Sequence, residues 1–256
     1  MANYANLKVL FIIIGFIGVI GFGLLGAFLG NKYKMNTNRK EASTILLVVE
    51  AILIVSEIFK QIFLALNGGF EWERFPFQIC SLIVYIIPII SFVKNEKIKD
   101  ALTGFLAFFC MTGGLFYFVK PAAALNTPYM LISLQSFIWH WLIIFTGVFV
   151  IFSYRLFEKS QLRIIVGPAT LFIILSIIAG VVDYILFSVA PELNVNYFYI
   201  SYGAKPFYPV LNLIFKEQHP YLLYFVCFLI YYIAGACIIY GISRAVHIIR
   251  LKLTKH

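Results

Sequence analysis

Of 256 residues, 62% are hydrophobic and only 12% are charged, with a mean hydropathy of +0.94. A water-soluble domain carries about 25% charged residues, so this chain has too little polar surface for a shell facing water and lipid must be its solvent. The net charge of +9 does not indicate nucleic acid, because the basic residues fall in short clusters between apolar runs, where they act as topology signals.

A membrane span needs about 20 apolar residues to cross about 30 Å of hydrocarbon. Seven candidates follow in chain order: Val9–Leu29, Ala42–Leu66, Phe75–Val93, Ile98–Val119, Tyr129–Tyr154, Leu162–Ala190 and Tyr221–Val246. The expected fold is therefore an all-α, polytopic bundle of about seven transmembrane helices. It forms a single domain over residues 1–256, placed in the cell membrane. The first span carries a ridge of small residues, Gly15, Gly18, Gly21, Gly23, Gly26 and Gly30. Such a ridge allows close helix approach, within the bundle or between copies. The connections on one side hold Lys32, Lys34, Arg39, Lys40, Lys94, Lys97, Lys99, Arg155, Lys159, Arg163, Arg244, Arg250, Lys252 and Lys255; those on the other hold Lys8, Arg74, Lys120, Lys205 and Lys216. This asymmetry predicts an N-terminus outside and a C-terminus inside.

The second span contains Glu50, Glu57 and Lys60 on one face. A charge at mid-membrane costs about 2.5–3.5 kcal/mol on insertion scales, so this face must look inward. Glu57 and Lys60 are spaced to neutralise each other, as a strut or as one wall of a substrate cavity. The third span begins Phe75-Pro76-Phe77-Gln78-Ile79-Cys80-Ser81. With Pro76 in a first helical turn, Cys80 is expected just inside a helix N-terminus. The positive end of the dipole there favours thiolate; otherwise Cys80 is a small hydrophobe. The remaining cysteines, Cys110, Cys227 and Cys237, lie in apolar runs without CxxC spacing. Neither a disulfide framework nor a metal site is expected, and no cofactor.

In the fifth span His140 lies deep, with Ser133 and Ser136 on the same stripe. It is either a hydrogen-bonded strut or a proton shuttle. Asp183, near the end of the sixth span, is expected to pair with Lys60 or to orient a histidine. The segment 191–220 is aromatic and rich in proline. It is expected to fold back on the bundle mouth, because non-helical backbone at membrane depth must be buried or line a wet cavity.

The order of Phe75-Pro-Phe-Gln-Ile-Cys80, Ser136-Phe-Ile-Trp-His140 and Asn194-Val-Asn-Tyr-Phe198, followed by Lys205-Pro206, resembles the YwaF-type bacterial membrane proteins. These are related to the TMEM-type acyltransferases that build ether-linked phosphatidylethanolamine. The resemblance runs from about Glu57 to Tyr221. It implies that Cys80 is a nucleophile, that His140 is its base, and that Asn196-Tyr197 is a functional loop. Gln78 stands where members often have histidine. The implied reaction moves an acyl chain between phospholipid and lysophospholipid. Asn196, Gln78 or Ser81 are candidate oxyanion donors; the resemblance assigns no function to Glu57, Lys60 or Asp183, which stay candidates for substrate-binding or supporting positions with Gln78, Asn196 and Tyr197. The expected partners are membrane lipids, with no nucleic acid and no obligatory protein. The rival function is a proton-coupled transporter using the intramembrane carboxylates. A retinal protein is disfavoured, because the last span contains no lysine.

Overall fold

A computed structural model describes residues 8–69, 72, 75–119, 129–202, 205–215 and 220–253. Arg74, Lys120, Lys216 and Lys255 of the charge pattern lie outside the described residues. The described residues form helices and turns without strands. The helices are α1 (Lys8–Lys32), α2 (Arg39–Leu66), α3 (Ile83–Phe92), α4 (Glu96–Val119), α5 (Met130–Ser153), α6 (Leu162–Val189) and α7 (Tyr221–Leu253). Six of these are long and apolar enough to cross a membrane, and α3 is a shorter apolar helix. The chain is a multi-pass helical membrane protein.

The order of burial follows from what each helix can turn inward. In α4 and α5, 72% of the apolar window is buried, against 11% for α1. Thus α4 and α5 form the axis of the bundle and α1 faces lipid over most of its girth. Its glycine ridge sits on α5. A β-carbon at Gly26 would stand 2.6 Å from the Phe145 carbonyl, and one at Gly30 2.7 Å from that of Phe149. The Trp141 indole donates to the Gly15 carbonyl at 3.0 Å. Gly15, Gly18, Gly26 and Gly30 therefore pack inside this chain, whereas Gly21 meets nothing within 4 Å.

The connections cluster at two ends. At one end the Ser153 hydroxyl donates to the Tyr33 carbonyl at 2.8 Å, Arg250 donates to Asn31 at 2.7 Å, and Lys159 pairs with Asp100. This end gathers the basic clusters and is termed the basic end. At the other, Gln78 Nε2 donates to the Asn196 carbonyl at 2.9 Å and the Tyr129 hydroxyl to the Asn67 carbonyl at 2.8 Å. This is the cap end.

One expected element differs. Residues 75–82 do not extend α3. They form successive turns, with the Gln78 carbonyl accepting from the amides of Ser81 (2.8 Å) and Leu82 (3.1 Å), and α3 begins only at Ile83. Its ten residues cover about 15 Å, half of a bilayer. The reason is tertiary. Phe77 packs edge-on against Tyr197 and stacks on Phe198, while Gln78 bonds Asn196. These contacts draw the segment sideways under the 191–215 loop, away from a helical path. Cys80 accordingly precedes the N-cap Leu82 and lies in the turns ahead of α3 instead of within the helix. The irregular backbone is covered by protein, the condition under which it is tolerated at this depth.

Candidate functional site

The cap end is built around the loop between α6 and α7. Asn194, Phe198 and Tyr199 all adopt positive φ, between 47° and 56°, a region costly for non-glycine residues. The surroundings hold them there. The Tyr208 hydroxyl donates to the Phe198 carbonyl at 3.0 Å and the Tyr224 hydroxyl to the Tyr199 carbonyl at 2.8 Å. Burial pushes the Tyr208 phenol well above its usual pKa, so it remains a neutral donor. Phe198 and Ile200 are fully buried. The described part of the loop is thus a packed lid over the bundle.

Asp183 is 1% exposed and accepts the Tyr197 backbone N–H at 3.0 Å. This contact gives a buried acceptor to an amide that the Asn194–Tyr199 bends turn into the bundle. Asn196 is similarly engaged: its carbonyl accepts from Gln78, and its side-chain oxygen accepts from the Ser201 amide at 2.9 Å. Gln78 and Asn196 therefore clamp residues 75–82 to the lid, although the Gln78 Oε1 is buried without a partner.

On α2, Glu57 and Lys60 pair at 2.8 Å, and Gln61 donates to the same Glu57 oxygen at 2.6 Å. The second oxygen of Glu57 is buried with no hydrogen-bond partner. Glu50 and Glu57 are 5% and 8% exposed, facing inward as the α2 pattern requires. Ser56 accepts from Gln135 at 3.0 Å, tying α2 to α5.

His140 is buried on α5. Its Nδ1 lies 2.7 Å from the Ser136 carbonyl. A carbonyl can only accept, so Nδ1 carries the proton and Nε2 presents the lone pair. The ring stacks on Tyr117 of α4, with centroids 3.6 Å apart and planes at 5°, and Phe118 meets it edge-on at 6.3 Å. The Tyr117 hydroxyl is buried beside the Ser136 side chain.

Half-buried Cys80 lies against the same stretch of α4. A β-carbon added to Gly113 would stand 3.7 Å from the Cys80 Cβ and 3.2 Å from the Tyr232 hydroxyl. A methyl there would touch Cys80 at ordinary van der Waals distance and crowd only the Tyr232 hydroxyl. Gly113, beside Cys80, is one helical turn from Tyr117, which stacks on His140. Lys60 lies within electrostatic range of both Cys80 and His140. Just before Gly113, Phe105–Cys110 forms a π-helical stretch. Such wide turns re-aim the following helix and recur at functional sites.

Cys80 and His140 thus each lie beside α4, with Lys60 of α2 within electrostatic range of both, while Gln78, Asn196, Tyr197 and Asp183 meet at the lid. Tyr117, Gly113 and Tyr232 are absent from the sequence-derived candidates. The Gly113-Gly114 pair was the one local signal for a close approach, and nothing singles out Tyr117 among 16 tyrosines. Among the described residues, no group of three or more His, Cys, Asp or Glu could hold a metal ion.

A family model described as the TMEM164 family matches residues 3–240. No curated protein and no solved structure matches the chain.

Proposed function

The chain belongs to the TMEM164 family, and from that premise we propose that it is a thiol-dependent lipid acyltransferase with Cys80 as nucleophile and His140 as general base. The YwaF-type resemblance of the motifs around these residues points the same way. The observation that carries the reading is the orientation of His140. Its Nδ1–H is fixed on the Ser136 carbonyl, leaving Nε2 as acceptor beside a tyrosine stacked on the ring and one turn from the glycine beside Cys80. A base oriented by a third group is the general signature of an activated nucleophile.

In the proposed reaction Nε2 takes the Cys80 thiol proton and the thiolate attacks the carbonyl carbon of a phospholipid ester. The tetrahedral oxyanion needs a donor close to the reacting groups, and the Tyr117 hydroxyl, carried on the ring stacked against His140, joins Gln78 and Asn196 as a candidate. Collapse breaks the ester C–O bond, and the imidazolium returns its proton to the departing lysolipid oxygen. A thioester remains on Cys80. A second lysolipid hydroxyl then loses its proton to Nε2 and attacks the thioester, and the thiolate leaves and recovers that proton. No oxidant or external energy source enters the balance.

We also propose that the cap end faces outward, as the distribution of basic residues favours. Lipid profiles of cells expressing the wild-type chain, Cys80→Ala, or neither test the proposal. Acyl redistribution between phospholipids should appear with the wild type alone. Redistribution that persists in Cys80→Ala would remove the thiol mechanism.

A further inference from the structure

At the basic end, away from Cys80, a cavity of about 670 Å³ opens between α2, α3, α4 and the turn after α5. Its wall carries Arg39, Lys99, Arg155 and Lys159 against two carboxylates, Glu96 and Glu158. The carboxylates are already shared: Glu96 lies 3.5 Å from Lys99, and Glu158 pairs with Arg155. Lys159 pairs with Asp100, which Arg163 also approaches at 4.0 Å. Arg39 has no carboxylate within ion-pair distance among the described residues. The cavity therefore holds more positive charge than its own acids neutralise.

The lower wall is of opposite character. Leu46 and Ile90 are buried there at 4% and 3% exposure, while neighbouring Leu47 is 52% exposed on the outer side of α2. The cavity is cationic at its mouth, apolar below, and continuous with a surface that meets lipid. Its geometry is actively maintained. The Met35 amide donates to the Ser153 carbonyl at 2.9 Å, and Arg155 adopts a left-handed φ of 53°. That conformation is disfavoured for arginine. Residues held in such conformations cluster at ligand clamps and switch regions.

We propose that this cavity binds the phosphate of an anionic phospholipid, with Arg39 and Lys99 on the headgroup and the acyl chains leaving past Leu47. Guanidinium groups suit phosphate because they donate two parallel hydrogen bonds. Basic pockets between transmembrane helices are the recurrent form of anionic lipid sites. The site is independent of the acyl-transfer chemistry at the cap end.

The test uses the full chain in nanodiscs of phosphatidylcholine containing phosphatidylglycerol, with retained lipid counted by native mass spectrometry. The wild type should retain phosphatidylglycerol in preference to phosphatidylcholine. Arg39→Gln/Lys99→Gln should lose that preference by about thirtyfold, the product of about fivefold for each cation near the surface. Lys34→Gln/Lys252→Gln, on the same face but outside the cavity lining, should keep it. Arg39→Gln alone, at an exposed position, replaces the double variant if that fails to fold. Displacement by millimolar glycerol 3-phosphate would show that the site reads phosphate from either source; resistance would show that it requires the lipid-borne group. Equal retention of the two lipids by the wild type would overturn the proposal. So would equal losses in the cavity and control variants, or no loss in the cavity variant.

Discussion

At the cap end, Gln78, Asp183 and Asn196 bond backbone groups of the 191–202 loop, Gln78 from 118 residues away and the other two from within or just before it. At the basic end, the ion pairs Lys99–Glu96 and Arg155–Glu158 join residues three apart and include side chains open to water. The first arrangement fixes tertiary structure, because removing either partner strands a buried polar group. The second does little for stability, because water replaces what is lost. Chemistry that requires aligned groups belongs at the rigid end, and recognition of a charged headgroup suits the wet one.

The difference can be tested by substitution, taking the largest effect first. Cys80→Ser should reduce acyl transfer by at least about a thousandfold, as removal of a nucleophile does, with the helical circular dichroism unchanged. His140→Ala should reduce the rate by about 10²–10⁴-fold, the usual range for a general base, measured as turnover in nanodiscs. Tyr117→Phe keeps the ring stacked on His140 and removes only the hydroxyl. It should cost about 10²-fold in kcat if that hydroxyl serves the oxyanion, and an unchanged kcat would assign it to packing. Asp183→Ala leaves the Tyr197 amide unsatisfied and should destabilise the lid by about 1–3 kcal/mol, seen as faster hydrogen exchange over residues 194–202. Lys99→Gln should change thermal stability by no more than about 1 kcal/mol. A larger loss there than in Asp183→Ala would invert the comparison.

The long helices were legible because each is an apolar run of sufficient length, and no partner is needed to see that. The glycine ridge of α1 was equally plain, but not that it seats on Phe145 and Phe149. The segment 75–82 was misread as helix because Pro76 and the apolar run fit a helix start. The competing pull comes from Tyr197, Phe198 and Asn196, more than a hundred positions away. His140 could be found from its spacing to Ser133 and Ser136 on one helix face. Tyr117 could not, because its role depends on a ring stack between two helices. Asp183 was expected to pair with Lys60 or to orient a histidine; its contact with the Tyr197 backbone amide carries no signature in sequence.

The central claim is that an acyl group passes through Cys80. It is tested most directly by incubating the purified chain with phospholipid in the absence of acceptor and examining its cysteine peptides by mass spectrometry. The account expects a hydroxylamine-sensitive acyl thioester on Cys80 that is lost when lysophospholipid is added and forms far more slowly in His140→Ala. An unmodified Cys80, or an acyl group appearing equally on Cys227 and Cys237, would contradict it.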